Sequence, residues 1–176
     1  MRAVNFPSLF FQQAERLKYR VALRYKNYGI WHRISWQEYA DGVRHVAAGL
    51  ISLGVNPGER VAILGENRPE WLICDLAVMT VGGVTCGIYT TSAAEQVAYI
   101  VGHSESQVIF IENEEQVDKI LQILPEVNLK QVIIWDHKGL WGFSQGKIVF
   151  YTDFLKDAKE YLKNNPECVS ERLATV

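Results

Sequence analysis

Arg60-Val-Ala-Ile-Leu64, Val84-Thr-Cys-Gly-Ile88 and Val108-Ile-Phe-Ile111 are short apolar runs without polar alternation, and the segments between them decide the fold. Pro69 suits the first turn of a helix running to about Thr80, which Gly82-Gly83 stop. Ser92-Ala-Ala-Glu95 reads as a capping box opening a second helix, to about Ser104. Apolar strands separated by helices are what a parallel sheet covered on both faces requires. Beyond them, Asn113-Glu-Glu-Gln116 opens a helix that Pro125 closes. Gln131–Trp135 and Lys147–Phe150 supply two more strands, and Asp153–Asn164 a last helix. With right-handed crossovers, residues 60–164 form a βαβ layer. The expected class is α/β: a doubly wound, mostly parallel sheet with flanking helices.

Working back toward the N-terminus, Ser35-Trp-Gln-Glu38 is a capping box. The helix it opens, residues 35–53, carries Trp36, Tyr39, Val43, Val46, Ala47, Leu50 and Leu53 on one stripe and stops at Gly54. Asn27-Tyr-Gly29 between Val21–Lys26 and Ile30–Ile34 signals a β-hairpin. Residues 8–20 read as a helix with Ser8 as its cap, so 8–34 is a helix and hairpin preceding the layer. Residues 165–176 show no cap or turn signal and read as a cut linker.

The 176 residues, 48% hydrophobic and 22% charged with a net charge of −2, are enough for a core without disulfides or metals. Cys74, Cys86 and Cys168 are odd in number and widely spaced, which argues against a disulfide framework or a zinc site and favours a reducing, cytoplasmic setting. The net acidity excludes a generally basic nucleic-acid binder. Charge is uneven: nine basic against four acidic residues in 1–60, and nine against sixteen in 61–176. Leu76–Ala94 is uncharged for 19 residues, yet its glycines, threonines and changing period fit a helix end, strand and loop better than a membrane span.

In such a sheet ligands sit beyond the carboxyl ends of the strands. The loops there are Gly65-Glu-Asn-Arg-Pro69, Tyr89-Thr-Thr-Ser92, Glu112-Asn113 and Asp136-His-Lys138. Asn67, Tyr89, Thr90, Thr91 and Ser92 supply an amide and hydroxyls beside helix N-termini, and are the candidate cleft-wall residues. Asn67 and Ser92 also stand where helix caps belong, so each reads first as a cap. No catalytic or metal-ligating residue is assigned. Gly142-Phe-Ser-Gln-Gly-Lys-Ile148 falls one residue short of a P-loop and lacks its Ser/Thr. The four histidines do not gather, and no G-x-S-x-G elbow is present.

The order of segments resembles the opening of the adenylate-forming acyl-CoA synthetases. The resemblance is carried by Leu53-Gly-Val-Asn-Pro-Gly-Glu-Arg-Val-Ala-Ile63, Glu66-Asn-Arg-Pro-Glu-Trp71, Ile88-Tyr-Thr-Thr-Ser92, Glu95-Gln-Val-Ala-Tyr-Ile100 and His103-Ser-Glu105, and covers residues 8 to about 135. Asn-Arg-Pro-Glu-Trp and the Tyr-Thr-Thr-Ser segment are most similar to the long-chain fatty acid branch. The resemblance implies a two-step ligase that uses a fatty acid, ATP, Mg2+ and coenzyme A. A carboxylate attacks the α-phosphate of ATP to give acyl-adenylate, and the coenzyme A thiol then displaces AMP.

It further implies that 1–176 is the N-terminal portion of a larger AMP-binding domain, inactive alone. The phosphate loop and the catalytic lysine would follow Val176. Two positions depart from the family pattern: Cys86-Gly87 stands where many relatives have a proline, and Lys119 is the one basic residue near the coenzyme A phosphate site of short-chain relatives. Aryl-CoA ligases, luciferase-like enzymes and peptide-synthetase adenylation domains are alternatives within the family. A non-catalytic nucleotide- or coenzyme A-binding, or protein-interaction, module is the alternative outside it. Peripheral membrane contact and a homodimer are left open.

Overall fold

The computed structural model describes residues 5–143 and 146–176. Two residues of the near-P-loop stretch, Ser144 and Gln145, lie outside them. Helix α1 (Phe6–Leu17) starts two residues earlier than Ser8 suggests, because the Asn5 side chain accepts the Ser8 N–H at 2.8 Å. Ser8 is therefore inside the helix. Strands β1 (Val21–Asn27) and β2 (Ile30–Ser35) form the antiparallel hairpin, a two-stranded sheet of its own. Its turn needs the left-handed backbone of Tyr28 and Gly29 (φ 48° and 81°).

Helix α2 (Trp36–Ser52) begins on the expected capping box. Glu38 accepts the Ser35 N–H at 2.7 Å, and the Ser35 hydroxyl accepts the Glu38 N–H at 3.2 Å.

The layer then alternates β3 (Arg60–Leu64), α3 (Pro69–Thr80), β4 (Val84–Ile88), α4 (Ala94–Ser104), β5 (Val108–Ile111), α5 (Glu114–Ile123), β6 (Gln131–Ile134), β7 (Ile148–Phe150), α6 (Tyr151–Asn164) and α7 (Cys168–Ala174). The five strands lie in the order β4-β3-β5-β6-β7, all parallel. Two cores flank the sheet, because successive strand residues point to opposite faces. Val61, Ile63 and Phe110 pack with α1, α2, α3 and α6 on one side; Ala62, Leu64, Ile109 and Ile111 pack with α4 and α5 on the other. No described helix is long and apolar enough to cross a membrane.

The C-terminal segment departs further from its reading. Residues 168–174 form α7 rather than a linker, with Val169 buried in the first core and Arg172 donating to the Val55 carbonyl at 2.8 Å. The helix has no side-chain cap, so its sequence carries no start signal, and tertiary packing holds it.

Candidate active site

The carboxyl ends of β3, β5 and β6 open into a cleft of about 830 Å³, roofed on one side by Arg24, Lys26 and Trp31 of the hairpin. Its floor is Trp135, the residue after β6, which continues the ladder by donating its N–H to the Ile111 carbonyl at 2.9 Å. The indole stacks on Phe110 and is buried. Gly65 makes this fit: a Cβ there would lie 2.4 Å from an indole ring carbon.

Arg68 bridges the loops. It pairs with Glu70 at 2.8 Å and with Glu112 at 3.4 Å, and its guanidinium lies 5.9 Å from the Trp135 ring centre. Burial disfavours the charged guanidinium, but Glu70, Glu112 and Asp136 outweigh it and push its pKa up. Glu112 also accepts the Glu66 N–H at 2.7 Å. Burial opposes ionisation of Asp136, yet the Lys138 N–H and ammonium hold its carboxyl below the usual range. Glu70, Glu112 and Asp136 are thus engaged with cations and backbone and Glu66 with the Thr90 hydroxyl, and among the described residues no group of three His, Cys, Asp or Glu could hold a metal. These residues do not fit a magnesium site.

Next to this cleft, Gly65, Glu66, Asn67, Trp71, Gly87, Ile88, Tyr89 and Thr90 line a second pocket of about 360 Å³. Three of the five candidate residues, Asn67, Tyr89 and Thr90, therefore meet. Thr91 and Ser92 do not line it; Ser92 instead donates its N–H to the Tyr89 carbonyl at 3.0 Å and closes the turn. The Thr90 hydroxyl donates to Glu66, and Lys119 donates to the Thr90 carbonyl while pairing with Glu115 at 3.2 Å. Lys119 is accordingly a brace for this loop.

The capping readings fail for both polar candidates. Arg68 occupies the N-cap of α3 without a side-chain cap, since a guanidinium has no acceptor to offer, and Pro69 at the first position leaves one orphan donor fewer. Ala93 is the N-cap of α4, and its N–H is taken by Gln96 at 3.0 Å, so the Ser92/Glu95 box does not form. Asn67 is exposed and Tyr89 is 84% exposed, both free of any capping duty. Reading the sequence missed Arg68, Glu112 and Trp135. Arg68 and Glu112 sit in loops marked out by their position after a strand and Trp135 was read as the last residue of a strand, but only the β3–β5–β6 pairing brings the three together.

This is an α/β layer with a polar, aromatic-floored cleft at the carboxyl ends of its strands, the place where doubly wound proteins hold ligands. The profile of the AMP-binding enzyme family matches residues 10–163, and the chain belongs to that family. It is 37% identical over 131 residues to the long-chain-fatty-acid–CoA ligase ACSBG2 of Xenopus laevis, covering 74% of this chain and 18% of that protein. It is 42% identical over 95 residues to the long-chain-fatty-acid–CoA ligase FadD15 of Mycobacterium bovis, covering 54% and 16%. The crystal structure of coronafacic acid ligase from Pectobacterium brasiliense superimposes with a TM-score of 0.77 at 20% identity, over 86% of this chain and 29% of that one, a likeness of fold. The chain spans less than a fifth of the length of these curated relatives.

Proposed function

We propose that these 176 residues are the N-terminal part of an ATP-dependent long-chain fatty acid–CoA ligase and supply one wall of its active site. The observation that carries this reading is the family match over residues 10–163 together with relatives that are long-chain-fatty-acid–CoA ligases. The reaction joins a fatty acid to AMP with loss of pyrophosphate, then exchanges AMP for coenzyme A. Magnesium would supply charge stabilisation on the phosphates, and no residue here is assigned to it.

The contribution of this chain is positioning. Tyr89, Thr90 and Asn67 present a ring, a hydroxyl and an amide at the end of a rigid sheet. The Arg68–Glu112 pair holds the adjacent loops at a fixed spacing. Thr91 and Ser92 shape the turn that aims Tyr89. None of these is a nucleophile or a general base, so the isolated chain is inactive in this reading. Its cytoplasmic placement rests on three unpaired cysteines.

The test replaces the matching segment of Xenopus laevis ACSBG2 with this chain and measures oleoyl-CoA synthesis. The hybrid is expected to make the thioester, and the 176 residues alone to make none. A folded hybrid without activity overturns the reading.

A further inference from the structure

On the face remote from the strand ends, α1, α2, α6 and α7 enclose a groove of about 500 Å³. Its floor is apolar: Phe11 from α1, Leu162 from α6, and Val169 and Leu173 from α7. Helical spacing explains the assembly, because Lys159, Leu162 and Lys163 lie one turn apart on α6, as Val169 and Leu173 do on α7. The rim is basic. Arg44 lies 4.9 Å over the Phe11 ring and is neutralised by Asp41 at 2.9 Å. Lys159 and Lys163 have no ion-pair partner among the described residues. Of the two acids nearest the α7 wall, Glu167 accepts the Ser170 hydroxyl at 2.8 Å and Glu171 lines the neighbouring pocket with Arg172.

Two like charges four residues apart on a helix repel one another. The carboxyl end of α6 accounts for a cation at Lys163, but Lys159 lies more than a turn inside it. The local potential is felt by a neighbour: burial pushes the His45 pKa down, and Lys159 and Arg44 push it further against Asp41. An apolar trough with two ammonium groups that form no ion pair on one lip is complementary to an anion that carries a hydrocarbon chain.

We propose that this groove binds a long-chain fatty acid anion, its chain along Phe11, Leu162, Val169 and Leu173 and its carboxylate at Lys159 and Lys163. The volume falls in the range of small-molecule sites, and a concave trough suits one chain better than the flat face of a bilayer. The choice of fatty acid over other anionic amphiphiles rests on the ligase reading, while the site itself is separate from the cleft at the strand ends and performs no chemistry.

Sodium laurate below its micelle concentration, titrated calorimetrically into the 176-residue chain, is the probe. One laurate per chain is expected, with dodecanol binding about tenfold or more weakly. Lys159→Glu with Lys163→Glu should lower laurate affinity by about tenfold or more at unchanged thermal stability. Leu173→Trp, which fills the trough, should lower it as well. Absence of saturable binding, or binding indifferent to these substitutions, overturns the proposal. So does lysine-dependent sedimentation with phosphatidylglycerol vesicles in the absence of laurate binding, which would make this a membrane-facing surface. The calorimetry requires no catalysis, so an inactive hybrid enzyme and an empty groove are separable failures.

Discussion

Gly65 shows how one residue sets the site. It follows β3 where the Trp135 indole crosses, and a methyl group there would overlap the ring. Gly65→Ala is expected to destabilise the fold by about 1–3 kcal/mol, the usual cost of overpacking, read as a lower urea midpoint with an unchanged slope. Normal stability would show that Trp135 has room to move. Arg68 and Glu112 illustrate why the sequence concealed part of the cleft. They are 44 residues apart, each unremarkable in its own loop, and meet because β3 and β5 are neighbours. Asn67 and Ser92 failed as caps for a local reason: each helix begins one residue later than the cap reading requires, so Arg68 and Ala93 stand at the N-cap.

Among the elements, α2 was legible from end to end, because its capping box, its apolar stripe and its terminal glycine agree. Ser35→Ala is expected to cost about 0.5–2 kcal/mol, measured by denaturation. The Ser35 backbone N–H and hydroxyl hold the Glu38 carboxyl below its usual range. A depressed carboxylate stabilises the fold above its unfolded pKa and loses that contribution as pH falls through the folded value. The penalty of Ser35→Ala should therefore shrink below the usual carboxylate range, and a penalty constant with pH would assign the effect to the hydroxyl's bond with the Glu38 N–H. α7 was illegible for the opposite reason: it lacks a cap and depends on Val169 and Arg172 meeting α2 and the turn after it.

For the whole molecule, strand alternation and helix length sufficed to give the parallel layer, and the five strands lie where the apolar runs predicted. The composition alone describes an ordinary domain; the succession of motifs carries the family. What the sequence could not give is the relation between the hairpin and the sheet, which together make the large cleft through Trp31, Lys26 and Lys138. Lys138 reaches back to the hairpin and sits 4.8 Å over the Tyr28 ring, closing that side.

The central claim is that the strand ends of this chain face the reacting groups of a ligase. It is tested most directly by oleate-dependent ATP–pyrophosphate exchange in the hybrid enzyme carrying Tyr89→Ala and Thr90→Val. Removal of a ring contact and a hydroxyl from the wall should lower kcat/KM by about 2- to 10-fold or more, the worth of one or two polar contacts, with thermal stability unchanged. Exchange kinetics identical to those of the unsubstituted hybrid would contradict the claim and turn this edge of the sheet away from the active site.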